Sequence, residues 1–290
     1  MRILITGDLH YNIRRSQAGA VELAAEARRL GGDALVLLGD TAGADTQSLR
    51  EALELFAEFD GLRLLVPGNH CLWCQPGQDS LQRYHELLPA LAGECGFVLL
   101  DASPQVLDGV GLVGSVGWYD YSFREEALDV PKDFYEAKIA PGAARYYGGH
   151  EDLLARHAER LTDRHHSLSA RWMDGVHVKL PYSDAEFVAV LADRLAGQLA
   201  ELAPRVDRIV AFMHHLPFEQ LVPRNRPDRF AFAAAYMGSE RFGEVLLDCP
   251  KVTHVYCAHS HWKTRARIGR IEAVNVGSTY VQKHLEVLEI

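Results

Sequence analysis

The chain reads as an α/β fold on parallel strands, and three observations predict it. Short apolar runs recur along it: Ile3-Leu4-Ile5, Leu35-Val36-Leu37-Leu38, Leu64-Leu65-Val66, Ile209-Val210-Ala211-Phe212 and Val255-Tyr256-Cys257. Strands buried on both faces are apolar at every residue rather than at alternate ones, so these runs fit the interior of a parallel sheet. Amphipathic helical stretches separate the first three runs, and that βαβα order implies right-handed crossovers. Finally, 290 residues with 48% hydrophobic and 24% charged content are enough for a large packed core.

Each element follows from local signals. Strand 2–6 leads through Gly7-Asp8-Leu9-His10 to a helix near 16–30, which Gly31-Gly32-Asp33 stops. Strand 34–38 and Gly39-Asp40 precede a helix near 46–59, and strand 62–66 ends in Pro67-Gly68-Asn69-His70. A helix fits 79–92 and a strand 97–100. Residues 106–114 look like a hairpin that continues into Trp118-Tyr119-Asp120-Tyr121. From about 122 to 182 the chain is aromatic, charged and His-rich with no clear strand, which suggests a helical insertion, or cap, over the sheet edge. A helix at 184–202 returns to strand 208–212, and 216–235 reads as a long loop carrying Arg224, Arg226 and Arg229. A helix near 239–248 and strand 252–257 follow, then short strands at 264–268, 271–276 and 284–289, expected to be antiparallel. Without repeats or a low-complexity linker, residues 1–290 are expected to form a single elaborated domain.

Composition narrows the function. A formal charge of −9 argues against a broad electrostatic footprint for nucleic acid or an anionic membrane. The N-terminus lacks a signal-peptide pattern, and no apolar run approaches the roughly 20 residues that span a bilayer, so a soluble cytoplasmic protein is the expectation. The cysteines are Cys71, Cys74, Cys95, Cys249 and Cys257, an odd and low count that does not read as a disulfide framework. Cys71-Leu72-Trp73-Cys74 has zinc-pair spacing but lacks a second pair, so it reads as two reduced thiols near a turn.

The chemistry lies just past the apolar runs, where ligands bind in open α/β sheets. There stand Asp8, His10, Asp40, Asn69, His214, His259 and His261. Oxygen ligands with imidazoles suit Mn²⁺, Fe, Zn²⁺, Ni²⁺ or Co²⁺ better than Ca²⁺. Asp8 and His10, two apart, would point the same way on an extended segment, and His259 and His261 repeat that spacing. Asp40 is the natural bridge between two ions, which about 3.5–4 Å apart could share a hydroxide that acts as nucleophile. Any one fragment is more often structural, since Gly-Asp after a strand is commonly just a turn. Their ordered combination is what carries weight.

These motifs, Gly7-Asp8-Leu9-His10, Gly39-Asp40, Gly68-Asn69-His70, His214-His215 and His259-Ser260-His261, resemble the calcineurin-like metallophosphoesterase superfamily over residues 7–261. The resemblance implies a four-layer α/β/β/α sandwich of two mixed sheets. It also implies one metal on Asp8, His10 and His261, a second on Asn69, His214 and His259, Asp40 bridging, and His70 as the catalytic histidine beside the phosphate. Asn275-Val276-Gly277-Ser278 resembles a turn that often follows the last motif. Three departures stand out: Cys71 where relatives carry an acid, Gly43 where some phosphatases carry an Asp, and Ala258 where Gly is usual. The first two leave His70 without its customary acidic partner.

Weaker candidates for substrate contact are His215, Trp118, Tyr119 and Arg224, with Tyr121, Arg226 and Arg229 beside them. His150, His157, His165, His166 and His177 lack ligand spacing and read as surface residues. The expected function is a dinuclear metal-dependent hydrolase of phosphate mono- or diesters, acting by attack of a metal-bound hydroxide on a small ester or a phosphoprotein. A nuclease is the alternative, opposed by the acidic charge; a non-catalytic metal-binding scaffold is a second, opposed by the complete ligand set.

Overall fold

A computed structural model describes residues 1–290, the side chain of Arg229 lying outside the described residues. The strands are β1 (Arg2–Thr6), β2 (Ala34–Leu38), β3 (Leu62–Val66), β4 (Val98–Leu99), β5 (Gln105–Leu107), β6 (Val110–Ser115), β7 (Arg208–Met213), β8 (Val252–Cys257), β9 (Thr264–Ile268), β10 (Ile271–Asn275) and β11 (Glu286–Glu289). They form two mixed sheets, ordered β11-β1-β2-β3-β4 and β5-β6-β7-β8-β10-β9, flanked by helices as expected. The chain's end closes the first sheet, where β11 runs antiparallel to β1 with Leu4 opposite Val287. The last strands are not uniformly antiparallel: β9 pairs antiparallel with β10, but β10 lies parallel to β8.

Period-two alternation explains why the strands are apolar throughout. Ile3, Ile5, Val36, Leu38, Leu64 and Val66 of one sheet meet Leu112, Val210, Phe212, Tyr256 and Val274 of the other in the layer between them. The intervening Leu4, Leu35, Leu37, Leu65, Ile209 and Ala211 face outward and pack under the helices.

Helices occupy Arg14–Leu30, Thr46–Glu54, Asp184–Leu202 and Glu240–Asp248. The third carries a capping box, with the Ser183 hydroxyl on the Glu186 amide and the Glu186 carboxylate on the Ser183 amide. The stretch expected as one helix over 79–92 is instead α-helical at Ser80–Gln82, π-helical at Arg83–Leu87 and α-helical at Leu88–Glu94. Pro89 lacks the amide that would bond the fourth carbonyl back, and the wider turn accommodates it. That turn also directs Arg83 inward, where its guanidinium donates to the carbonyls of Cys71 and Gly43. Residues 122–182 hold short helices, among them Lys132–Glu136, Pro141–Tyr147 and Asp174–His177. The segment expected as a loop over 216–235 contains the helix Asp228–Ala233, which begins after Pro227. No helix of the described residues is long and apolar enough to cross a membrane.

Candidate metal centre

The loops after β1, β2, β3, β7 and β8 converge at one edge of the sandwich, and backbone bonds knit them together. Asp8 donates its amide to the Gly39 carbonyl at 3.0 Å, His10 to Asp40 at 2.8 Å, and Ala258 to His214 at 3.1 Å. These are not extended segments, contrary to the expectation for Asp8-x-His10 and His259-x-His261. Asp8 (φ 53°), His10 (φ 46°), Asp40 (φ 46°), His259 (φ 68°) and His261 (φ 55°) all lie in the left-handed region. Non-glycine residues visit it at a cost, and such strain clusters at functional sites. Two glycines make the convergence possible. A Cβ at Gly39 would stand 2.7 Å from both the Gly68 nitrogen and His214 Nδ1, and a Cβ at Gly68 would stand 2.2 Å from Asp40 Oδ1.

The structure brings all seven candidate ligands together. Asp8, His10 and His261 present one atom each within 4.8 Å of one another, as do Asp40, His214 and His259; a third set, His10, Asp40 and His70, overlaps both. Asp40 reaches toward both sides: its Oδ2 is 3.8 Å from His10 Nε2 and its Oδ1 is 3.5 Å from His214 Nε2. Asn69 joins His214 and His259 through its Oδ1, 3.1 Å from His214 Nε2.

Hydrogen bonding leaves this second set with lone pairs that could receive a cation. His214 Nδ1 faces the Leu38 carbonyl at 2.8 Å and so carries the proton, leaving a lone pair on Nε2. His259 Nε2 faces the Tyr236 carbonyl at 3.1 Å, which leaves a lone pair on Nδ1. Asn69 directs its Nδ2 protons to Asp174, so its carbonyl oxygen points inward. His214 Nε2 is thus 3.1 Å from both His259 Nδ1 and Asn69 Oδ1, acceptors meeting with no proton between them. A divalent ion would relieve that contact, and these nitrogen and oxygen donors could hold one of the first-row metals. In the first set, His10 Nε2 and His261 Nε2 are 3.1 Å apart, and His10 Nδ1 is buried without a partner among the described residues.

Electrostatics agree. Without an ion, burial pushes the Asp8 carboxyl up to about 8, and burial with the Asp8 charge raises Asp40. Burial lowers His10, His214 and His259, and brings His261 down to about 4, so all present neutral imidazoles at neutral pH. Lys283, missed by the sequence reading, donates to the Asp8 and Thr279 carbonyls, each at 2.6 Å. Asn275 braces the His259–His261 loop by donating to the Ala258 carbonyl at 3.0 Å and Ser260 Oγ at 2.7 Å.

His70 lies at the lip of the site, with Nε2 3.8 Å from Asp40 Oδ2. Its ring stacks on Trp73 at 3.8 Å, and Trp73 stacks on His177 at 4.5 Å. Burial lowers its pKa to about 4 against the opposing pull of the Asp174 charge. A cavity of about 380 Å³ opens above these residues, floored by Asp40, Asn69, His70, His259 and His261 and walled mainly by aromatic and aliphatic side chains.

The weaker substrate candidates lie elsewhere. Trp118 and Tyr119 are fully buried, donating to Asp184 and Asp174, and do not line the cavity. His215 is buried too, with Nδ1 on the Val116 carbonyl. Arg224 is held by Glu219, Glu125 and the Phe123 carbonyl. Arg226, two residues on, lines the cavity instead, its guanidinium 4.6 Å from the ring centre of Trp262. Of the histidines read as surface, His165 is buried and faces the Leu128 carbonyl, because its ring closes the cap of its own short helix. Cys71 and Cys74 are free and buried.

A family model described as calcineurin-like phosphoesterase matches residues 1–263. No curated protein matches the chain. Among solved structures, phosphopantetheinyl hydrolase from Mycobacterium tuberculosis is similar with a TM-score of 0.64 at 19% identity, over 95% of this chain and 89% of that one. A dimetal phosphatase from Danio rerio is similar with a TM-score of 0.50 at 15% identity, over 97% of this chain and 88% of that one.

Proposed function

The chain belongs to the calcineurin-like phosphoesterase family, and from that premise we propose that it is a metal-dependent hydrolase of phosphate mono- or diesters. The observation that carries the reading is the meeting of His214 Nε2, His259 Nδ1 and Asn69 Oδ1 with no proton among them, beside two carboxylates that burial alone would keep protonated. Asp8, His10 and His261 would hold one ion, Asn69, His214 and His259 a second, with Asp40 shared. Bound there, the ions would polarise a phosphoryl oxygen and lower the pKa of water toward neutrality.

The chain's own residues do the rest. Backbone bonds and two glycines hold the ligands in place before substrate arrives, so little reorganisation is left to the reaction. His70, neutral and stacked on Trp73, lines the cavity, where its imidazole could bond a phosphoryl or leaving-group oxygen. The walls are mainly apolar, and Arg226 at the cavity can meet an anionic part of the substrate. Residues 1–290 would act as one domain in which 122–182 is an insertion, with a small ester or a phosphoprotein as substrate.

The test is a panel of mono- and diesters, a phosphopantetheine diester among them, assayed under Mn²⁺, Zn²⁺, Ni²⁺ and Fe²⁺. Wild type should turn over at least one ester in a metal-dependent way, and Asp40→Asn and His261→Ala should each abolish it. Full metal content and wild-type turnover in both variants would defeat the assignment.

A further inference from the structure

The sequence leaves open what orients His70 when Cys71 and Gly43 stand where some relatives carry acids, and the orientation of its neighbour Asn69 raises the same question. One side chain in the structure touches the supports of both. Asp174 opens the short helix Asp174–His177 and is 1% exposed. Asn69 Nδ2 donates to its Oδ1 at 2.9 Å and its Oδ2 at 3.2 Å. Trp73 Nε1 donates to Oδ1 at 2.6 Å, while Tyr119 Oη and Trp172 Nε1 donate to Oδ2 at 3.0 and 2.8 Å. An amide NH₂ and an indole N–H can only donate, so the carboxylate serves here purely as an acceptor.

The geometry has a direct consequence. An asparagine ligand must present oxygen rather than nitrogen to a cation, and a hydrogen bond that accepts from its NH₂ sets that orientation in advance. With Nδ2 committed to Asp174, Oδ1 is left facing His214 Nε2. The same carboxylate pins Trp73, the plate on which the His70 ring lies. We propose that Asp174, carried by the 122–182 segment, is a positioning residue that sets the amide of Asn69 toward the metal and holds the Trp73 platform under His70. The proposal rests on the functional reading above.

Replacing Asp174 by Asn puts an NH₂ among donors and removes the reason for the Asn69 amide to face one way. D174N should therefore lose one of two bound ions under limiting metal, measured by elemental analysis, and a dinuclear Mn²⁺ spectroscopic signature should give way to a mononuclear one. Loss of such an outer partner typically costs about 10–100-fold in metal affinity or activity. That loss should appear in kcat rather than KM. Asn69→Asp is the second variant, since it leaves Asp174 and its other donors intact. It supplies a better metal ligand in isolation but turns an oxygen toward Asp174, so it should also lose the ion. Folding of both is checked by circular dichroism. Asn69→Asp holding both ions at wild-type affinity would overturn the proposal, as would a folded D174N with wild-type metal content and turnover. If wild type bound two ions yet hydrolysed no ester, the functional reading would fall, while metal content in the same variants would still decide the role of Asp174.

Discussion

A single methyl group at Gly68 tests whether the backbone around Asp40 is as tightly set as the site requires. An alanine Cβ there would lie 2.2 Å from Asp40 Oδ1, 2.4 Å from the Asp40 nitrogen and 2.9 Å from Cγ. Two of these neighbours belong to a carboxylate that is 1% exposed and the third is backbone, so none can swing away. Overpacking of this kind costs about 1–3 kcal/mol, and contact with main chain argues for the upper end. At roughly 2 °C per kcal/mol for a chain of this size, the melting temperature of Gly68→Ala should fall by about 5 °C. The same methyl displaces the Asp40 carboxylate, and a shift of about 1 Å in a reacting constellation can cost on the order of 100-fold in rate. Gly197→Ala is the matched control: it lies within the helix Asp184–Leu202 with open space where its Cβ would go. It should gain about 0.5–1 kcal/mol and leave turnover unchanged. Thermal melts, metal content and turnover of a reporter diester read both variants. A Gly68→Ala protein with wild-type melting, metal content and turnover would refute the reasoning.

Three further outcomes follow from the geometry. In chelator, stability should peak near neutral pH. His70, His215 and His261 are held at about 4, with His10, His214 and His259 also lowered, so their contribution is lost as pH falls from about 6.5 toward 4; Asp8, raised to about 8, and Asp40 take protons more readily when folded, and their contribution is lost as pH rises toward 8. Denaturant titrations from pH 5 to 8.5 check this, and a monotonic rise to pH 8.5 would contradict it. Asn275→Ala strips hydrogen bonds from the Ala258 carbonyl, Ser260 Oγ and the Gly277 amide, and should cost about 2–4 kcal/mol by denaturant unfolding. Arg226→Ala should raise KM for anionic esters several-fold with kcat little changed, whereas Arg224→Ala, outside the cavity, should leave both near wild type in steady-state assays.

Strands and candidate ligand positions were legible for one reason, that both are local. β2, β8 and β9 fall where unbroken apolar or alternating runs place them, and the long helix begins at its Ser183 cap. The motif residues announce themselves because each follows a strand end, and the fold then brings those ends together. What stayed hidden depends on distance in sequence or on direction of pointing. Asp174 lies 105 residues from Asn69, in a four-residue helix without periodicity. Trp118 and Tyr119 follow a strand toward the site, but an aromatic that props a wall from behind reads the same as one that faces the cavity. The helix Asp228–Ala233 is too short to show a repeat, so Arg224 and Arg226 could not be told apart before their partners were known.

The five left-handed positions under the ligands bear on how such a chain would change if freed from its chemistry. At Asp8, His10, Asp40, His259 and His261 the backbone already favours glycine, so replacing any of them by glycine would relieve local strain while deleting a candidate ligand. At most sites random substitution erodes stability first and function later; at these positions the relief of backbone strain opposes that loss of stability. Drift toward a more comfortable backbone runs directly through loss of the centre. A selection for thermostability alone, applied to a library at these five positions, should therefore enrich glycine and return well-folded proteins that no longer hold metal.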